Sequence, residues 1–207
     1  ADYLSLTVTE PLGAGEVLNS VQFNLEGQTI ALSYVPEQVT TSQKDGQTVT
    51  ETVPAFYMMD SPYVAAVAET KVTDVTYALT GYTASAVVAV KPSAEQLSEF
   101  GLAEPPYSLN AITSTGREIT LYAAETADGT CYLMRKGVDV VYRTTRYLLA
   151  WMNVTPETLL GTLFPGVRAA DILSISITSS SGAQYVLQAA DGAYTSNGKA
   201  ITAAEYA

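Results

Sequence analysis

The sequence predicts an α+β fold: antiparallel β-hairpins with short helices packed on one face, in two similar hairpin-plus-helix halves. Three observations point there. Apolar residues alternate on both sides of glycine-containing turns at several places, the pattern of half-buried hairpins. The alternation gives way to a helical period only in short stretches bounded by caps and stops. The run Ser93–Ala123 joins a helix, a stop and a hairpin in one module.

Residues 1–16 are expected to form a tether, because Pro11, Gly13, Gly15 and several threonines offer little to bury. The chain opens abruptly in ADYLSLTVTEP, as expected where an upstream segment has been removed. The first half, 17–91, begins with a hairpin: Val21, Phe23 and Leu25 alternate before Gly27, and Ile30, Leu32 and Tyr34 after it. Polar, Thr-rich 36–53 turns at Asp45-Gly46 and reads as a solvated hairpin, either a partner-binding finger or a tolerated surface insertion. Phe56, Tyr57, Met58, Met59 and Tyr63 then cluster, a stacking platform for a glycan or peptide or a strand sealing one core edge. Val72, Val75, Leu79 and Tyr82 follow a helical stripe, with Thr70 as cap and Gly81 as stop. Ser85–Val90 reads as a buried strand ended by Pro92.

The second half, 92–207, starts with Ser93 and Gln96 in a capping box, Gly101 as left-handed stop, and Pro105-Pro106 barring any extension. A hairpin follows through Gly116, and another through Lys136-Gly137 between Cys131–Arg135 and Val138–Thr144. Arg146–Met152 is short and apolar. Thr155-Pro156-Glu157 starts a helix whose apolar side is Leu159, Leu160, Leu163 and Phe164. Ile172–Gln188 is a further hairpin. Three turn glycines precede one spacing of apolar residues: Gly27 with Ile30 and Leu32, Gly116 with Ile119 and Leu121, Gly182 with Tyr185 and Leu187. Repetition on the same unit suggests duplicated modules, the third cut short after the capping box Thr202–Glu205.

The stretch Leu97-Ser-Glu-Phe-Gly-Leu-Ala-Glu-Pro105, the hairpin through Gly116, Cys131-Tyr-Leu-Met, Val138-Asp-Val-Val-Tyr142 and the opening Glu10-Pro-Leu-Gly-Ala-Gly-Glu-Val-Leu-Asn-Ser-Val resemble the bacterial domain-of-unknown-function family 4340. The family usually has Ile-Gly after the second hairpin strand, where this chain has Ala123-Ala124. The resemblance implies a secreted or membrane-tethered bacterial protein, often a lipoprotein, some relatives being encoded beside gliding-type ABC transporter components. It implies no catalytic residues.

Composition narrows the chemistry. The chain has 207 residues, long enough to bury about 70% of its unfolded surface. A net charge of −11 argues against a nucleic-acid partner. One cysteine and no histidine rule out an internal disulfide, the usual Cys/His zinc sites and an imidazole-activated nucleophile. Cys131 reads as a buried strand residue. No apolar run approaches the ~20 residues of a membrane-spanning helix. GxSxG and phosphate-loop motifs are absent. Asp128, Asp139, Asp171 and Asp191 stand near turns, but no loop alternates the oxygen ligands that calcium needs. No cofactor or metal is expected.

Four of the ten basic residues, Arg135, Lys136, Arg143 and Arg146, fall within twelve positions. They offer a patch for an acidic partner or anionic headgroups, or they simply neutralise an acidic surface. The expected function is a non-enzymatic extracytoplasmic binding or adaptor domain, held at the membrane only through a missing N-terminal anchor. Its expected partner is an envelope protein, a transporter component or a glycan. Arg135, Lys136, Arg143, Arg146, Tyr57 and Tyr63 are the candidate contact residues. Replacing both Arg143 and Arg146 with Glu is expected to leave the melting temperature nearly unchanged while weakening capture of an envelope partner. The rival is an enzyme using paired carboxylates on envelope glycans.

Overall fold

Alternating apolar residues dictate a sheet with one buried face, and a sheet of that kind dominates the computed structural model of the chain. It describes residues 5–44, 47–160, 173–179, 181–190 and 193–202, in two compact units divided between residues 162 and 163.

The first unit carries β1 (Leu18–Leu25), β2 (Gln28–Val35), β3 (Gln38–Lys44), β4 (Gln47–Val53), β5 (Phe56–Ser61), β6 (Ala65–Ala68) and α1 (Glu69–Thr76). There follow β7 (Ala86–Val90), α2 (Ala94–Glu99), β8 (Tyr107–Thr113), β9 (Glu118–Glu125), β10 (Cys131–Arg135), β11 (Val140–Thr144) and α3 (Pro156–Leu159). Nine strands make one antiparallel sheet in the order β6-β5-β2-β1-β8-β9-β10-β11-β7. The strands β1, β2, β5 and β6 are hydrogen-bonded in sequence as one meander, and β8 to β11 as another. The two meanders join through their first strands, with Val21 opposite Ala111 and Phe23 opposite Leu109. The separate ribbon β3–β4 is the solvated hairpin that its composition predicted.

Inward residues Phe23, Ile30, Leu32, Met59, Leu109, Leu121 and Leu133 are fully buried. They form one core with Val72 of α1, Leu79, Leu149, Trp151 and Leu159. Each such side chain contributes about 1.5–3 kcal/mol on burial. The helix α2 packs on the opposite face: Leu97, Phe100 and Leu102 meet Tyr122, Ala124, Tyr132, Met134 and Val141. Its capping box forms as the sequence indicates, with Gln96 N–H donating to Ser93 Oγ at 3.2 Å and Ser93 N–H to Gln96 Oε1 at 3.0 Å. Gly101 closes it at φ 71°.

The second unit holds β12 (Ser174–Thr178), β13 (Gln184–Ala190), β14 (Ala193–Ser196) and β15 (Lys199–Ile201), a four-stranded antiparallel meander. None of its described residues is buried.

Several expectations need correction. Among the described residues the fold is mostly β, with 50% strand against 16% helix, rather than a balanced α+β protein. The supposed tether is partly built into the core: Thr7 bridges Thr83, Val8 is buried, and Thr9 Oγ1 donates to the Ala78 carbonyl at 2.8 Å. Strand β7 is a half-exposed edge beside β11, not a buried strand. Ala68, not Thr70, is the N-cap of α1. The helix begun by Thr155 is described only to Leu159, so Leu163 and Phe164 lie outside the described residues.

Candidate binding face

The inward residues of β1, β2 and β8 are apolar, so strand alternation sends Ser20, Gln22, Asn24, Ser33, Ser108 and Asn110 to the other face. Register lines them into cross-strand rows. One row runs Thr29, Asn24, Ser108, Tyr122, Met134, Val141 across six strands. It is polar at the β2 end and apolar at the β11 end. Helix α2 covers the apolar end, where Phe100 and Tyr132 ring centroids lie 4.7 Å apart. The polar end stays open.

Hydrogen bonds order this open end. Gln22 Nε2 donates to Asn24 Oδ1 at 2.8 Å, Asn24 Nδ2 to Ser108 Oγ at 2.9 Å, and Thr29 Oγ1 to Asn24 Oδ1 at 3.2 Å. Ser33 Oγ donates to the Asp60 carboxylate. A groove of about 370 Å³ follows the neighbouring rows, lined by Gln22, Ser33, Asn110 and Thr120 together with apolar Ala31 and Ile112, with Asp60, Glu118 and Lys136 also on it. Amide and hydroxyl groups of this kind can recognise a neutral polar ligand through paired donors and acceptors. Among the described residues no group of three or more His, Cys, Asp or Glu side chains could hold a metal ion.

The sequence-predicted contact residues do not converge. Arg135 and Lys136 stand at one end of β10, while Arg146 stands near the other, where Cys131 pairs with Glu125. Arg135 Nη1 donates to the Val8 carbonyl at 3.4 Å, holding the N-terminal segment. Arg146 forms an ion pair with Glu125, and its Nε donates to Asn153 Oδ1 at 3.0 Å. Arg143 is exposed on β11 and pairs in register with Tyr132. Lys136 alone of the four lines the groove. Tyr57 is interior, its hydroxyl donating to the Leu18 carbonyl at 2.9 Å, and burial pushes its phenol pKa up. Tyr63 is 41% exposed in the short β5–β6 connection. Cys131 is fully buried, and desolvation followed by the charge of Glu125 pushes its thiol pKa up. Gln22, Asn24 and Asn110 escaped the sequence reading. Their signal was present as the polar half of the same alternation that identified Val21 and Phe23.

The domain of unknown function DUF4340 matches residues 58–206, and the chain belongs to that family. No curated protein and no solved structure matches it.

Proposed function

We propose that this chain is a non-enzymatic extracytoplasmic binding or adaptor domain, tethered at the cell envelope, whose partner docks on the polar face over β2, β1 and β8. The carrying observation is the ordered, uncovered row of amides and hydroxyls beside an otherwise filled, helix-covered sheet. Such a face suits an envelope glycan or a polar protein surface, with Lys136 answering an acidic group. Binding of purified peptidoglycan fragments and of envelope proteins to Gln22→Arg/Asn110→Arg tests it. The double variant is expected to lose binding at least tenfold with its melting temperature within about 4 °C of the parent, since Gln22 is exposed and Asn110 half-buried on the open face, where a long charged side chain can reach solvent at a cost of about 1 kcal/mol or less. Retained binding overturns the assignment. The rival enzyme draws support from Asp60 and Glu118 on one groove. Glycan turnover that Asp60→Asn or Glu118→Gln abolishes would establish it instead.

The two meanders also support a duplicated architecture. Each runs four strands in hairpin order and then passes into a helical segment, α1 after β6 and the helical turns ending in α3 after β11. Gly27 and Gly116 turn the first hairpin of each at φ 84° and 82°. Ile30 and Ile119 hold the same place three residues later, opposite Phe23 and Ala111 respectively.

A further inference from the structure

The meander of the second unit repeats the β8–β9 hairpin at a constant offset of 66 residues. Gly116 N–H donates to the Thr113 carbonyl at 2.9 Å, and Gly182 N–H to the Ser179 carbonyl at 2.9 Å. Thr113 N–H donates to the Arg117 carbonyl at 3.0 Å, and Ser179 N–H to the Ala183 carbonyl at 2.8 Å. The hydroxyl pairs Thr113–Thr115 and Ser179–Ser181 lie at 2.9 and 2.7 Å. The ladders agree as well: Asn110 faces Thr120, and Ser176 faces Val186.

The two hairpins differ in what surrounds them. Ala111 and Ile119 are 4% and 2% exposed, whereas their counterparts Ile177 and Tyr185 are 55% and 57% exposed. The edge of β8 away from β9 is occupied by β1, whereas among the described residues β12 ends its sheet. A four-stranded sheet gains independent stability by covering an apolar face, and this one has none covered among its described residues. An unpaired strand edge is moreover a template for another strand. The segment Ser174–Thr178, Ser-Ile-Ser-Ile-Thr, carries no charge or proline to block one.

The β1–β8 seam shows which strand fits such an edge. On the duplicated reading proposed above, on which this inference rests, Phe23 corresponds to Ala111 and Val21 to Leu109. The observed pairs, Phe23 with Leu109 and Val21 with Ala111, are then two-fold mates about Gln22 opposite Asn110. Carried forward by 66 residues, the two-fold centre falls on Ser176. We infer that β12 is a dimerisation edge, occupied by β12 of a second copy of this chain, antiparallel, with Ser176 opposite Ser176 and Ile175 opposite Ile177. The pairing is isologous and closes on itself. It joins two four-stranded meanders into one eight-stranded sheet and brings the two open apolar faces onto a common side.

Light scattering and cysteine cross-linking on the full chain test this. The parent is expected to show twice the monomer mass at micromolar concentration. Ser176→Cys is expected to form a covalent dimer with a short bismaleimide, since directly opposed residues lie about 4.5–5.5 Å apart between Cα atoms. The parent, whose Cys131 is buried, is expected not to cross-link. Ile177→Lys, at an already exposed position, is expected to halve the mass, with hydrogen exchange in β13 and β14 showing that the meander persists. A monomeric parent overturns the inference, as does a dimer that survives Ile177→Lys. A dimer that cross-links through Ser174→Cys or Thr178→Cys but not through Ser176→Cys refutes the register and the duplication behind it. The glycan and envelope-protein binding assays read the polar face of the other unit, so failure there leaves this result standing and failure here leaves that one standing.

Discussion

Arg146→Glu separates a structural arginine from a surface one. In the fold, Arg146 pairs with Glu125 and donates to Asn153, and the two charged side chains are 37% and 27% exposed. At that exposure the pair contributes about 0.2–1 kcal/mol, and turning it into a like-charge contact costs a similar amount. Losing the hydrogen bonds to Asn153 adds about 0.5–1.5 kcal/mol. Together the substitution costs about 1–3 kcal/mol, which for a chain of this length lowers the melting temperature by about 2–10 °C. Arg143→Glu, at an exposed position on β11, stays within about 0.5 kcal/mol of the parent. The sequence alone treated the two arginines as one surface pair, and the structure separates them. Thermal unfolding by circular dichroism at low and high salt is the assay. The Arg146→Glu deficit shrinks as salt screens the repulsion. Adding Glu125→Arg to Arg146→Glu restores much of the loss, because the swapped charges can pair again. Equal losses for Arg143→Glu and Arg146→Glu refute the reasoning, as does a charge swap that recovers nothing.

Three further outcomes follow from the geometry. Cys131, fully buried with its thiol pKa raised, reacts slowly with a thiol probe in the folded protein and rapidly in denaturant, and rapid native labelling contradicts the placement. Glu16 is held at a pKa of about 2 by hydrogen bonds from the Thr113 side chain, the Gly13 N–H and Thr115, with Arg117 nearby. Its folded value lies below the ordinary 4.5, so its stabilisation is complete above that value and is lost as pH falls toward about 2. Glu16→Gln therefore flattens the melting temperature against pH across that window, and an unaltered profile refutes the linkage. Gly101→Ala destabilises more than Gly116→Ala by chemical denaturation: both positions are left-handed, costing about 1–2 kcal/mol, but only at Gly101 does the added Cβ come within 3.0 Å of Ala124 Cβ.

The local features were legible in the sequence because their causes are local. Gly27, Gly116 and Gly182 sit at positive φ in hairpin turns since only glycine takes that conformation without a Cβ penalty. Ser93 and Thr155 cap helices because each is followed three residues later by a side chain that completes the box. What escaped depends on contacts distant along the chain. Nothing near Thr7 announces a bridge to Thr83, so a segment with few apolar residues read as a tether while Val8 was destined for the core. The pairing of β1 with β8 spans about 90 residues, and no periodicity encodes it. The four clustered basic residues are spread apart for a related reason. Proximity in sequence is not proximity in a strand, where each residue advances about 3.3 Å and reverses face, so Arg135 and Arg146 end up at opposite ends of β10.

The polar face owes its openness to the same alternation that fills the core. Each strand must place half its residues outward, and the fold then treats those outward residues by what they are. Over β9, β10 and β11 they are Tyr122, Ala124, Met134 and Val141, whose exposure to water would be costly, and α2 follows β7 onto them with Leu97, Phe100 and Leu102. Over β2, β1 and β8 they are mostly polar, Asn24, Gln22, Ser33 and Asn110 beside Ala31 and Ile112, and for the polar ones a covering helix would have to replace every lost water hydrogen bond. A helix over those rows would therefore gain little apolar burial and lose solvation. A ligand with its own donors and acceptors faces no such balance, because it can exchange the water for bonds of equal kind. Helix coverage stops where the rows turn polar, and that boundary is the physical ground for the proposal that β2, β1 and β8 carry the face for a polar partner.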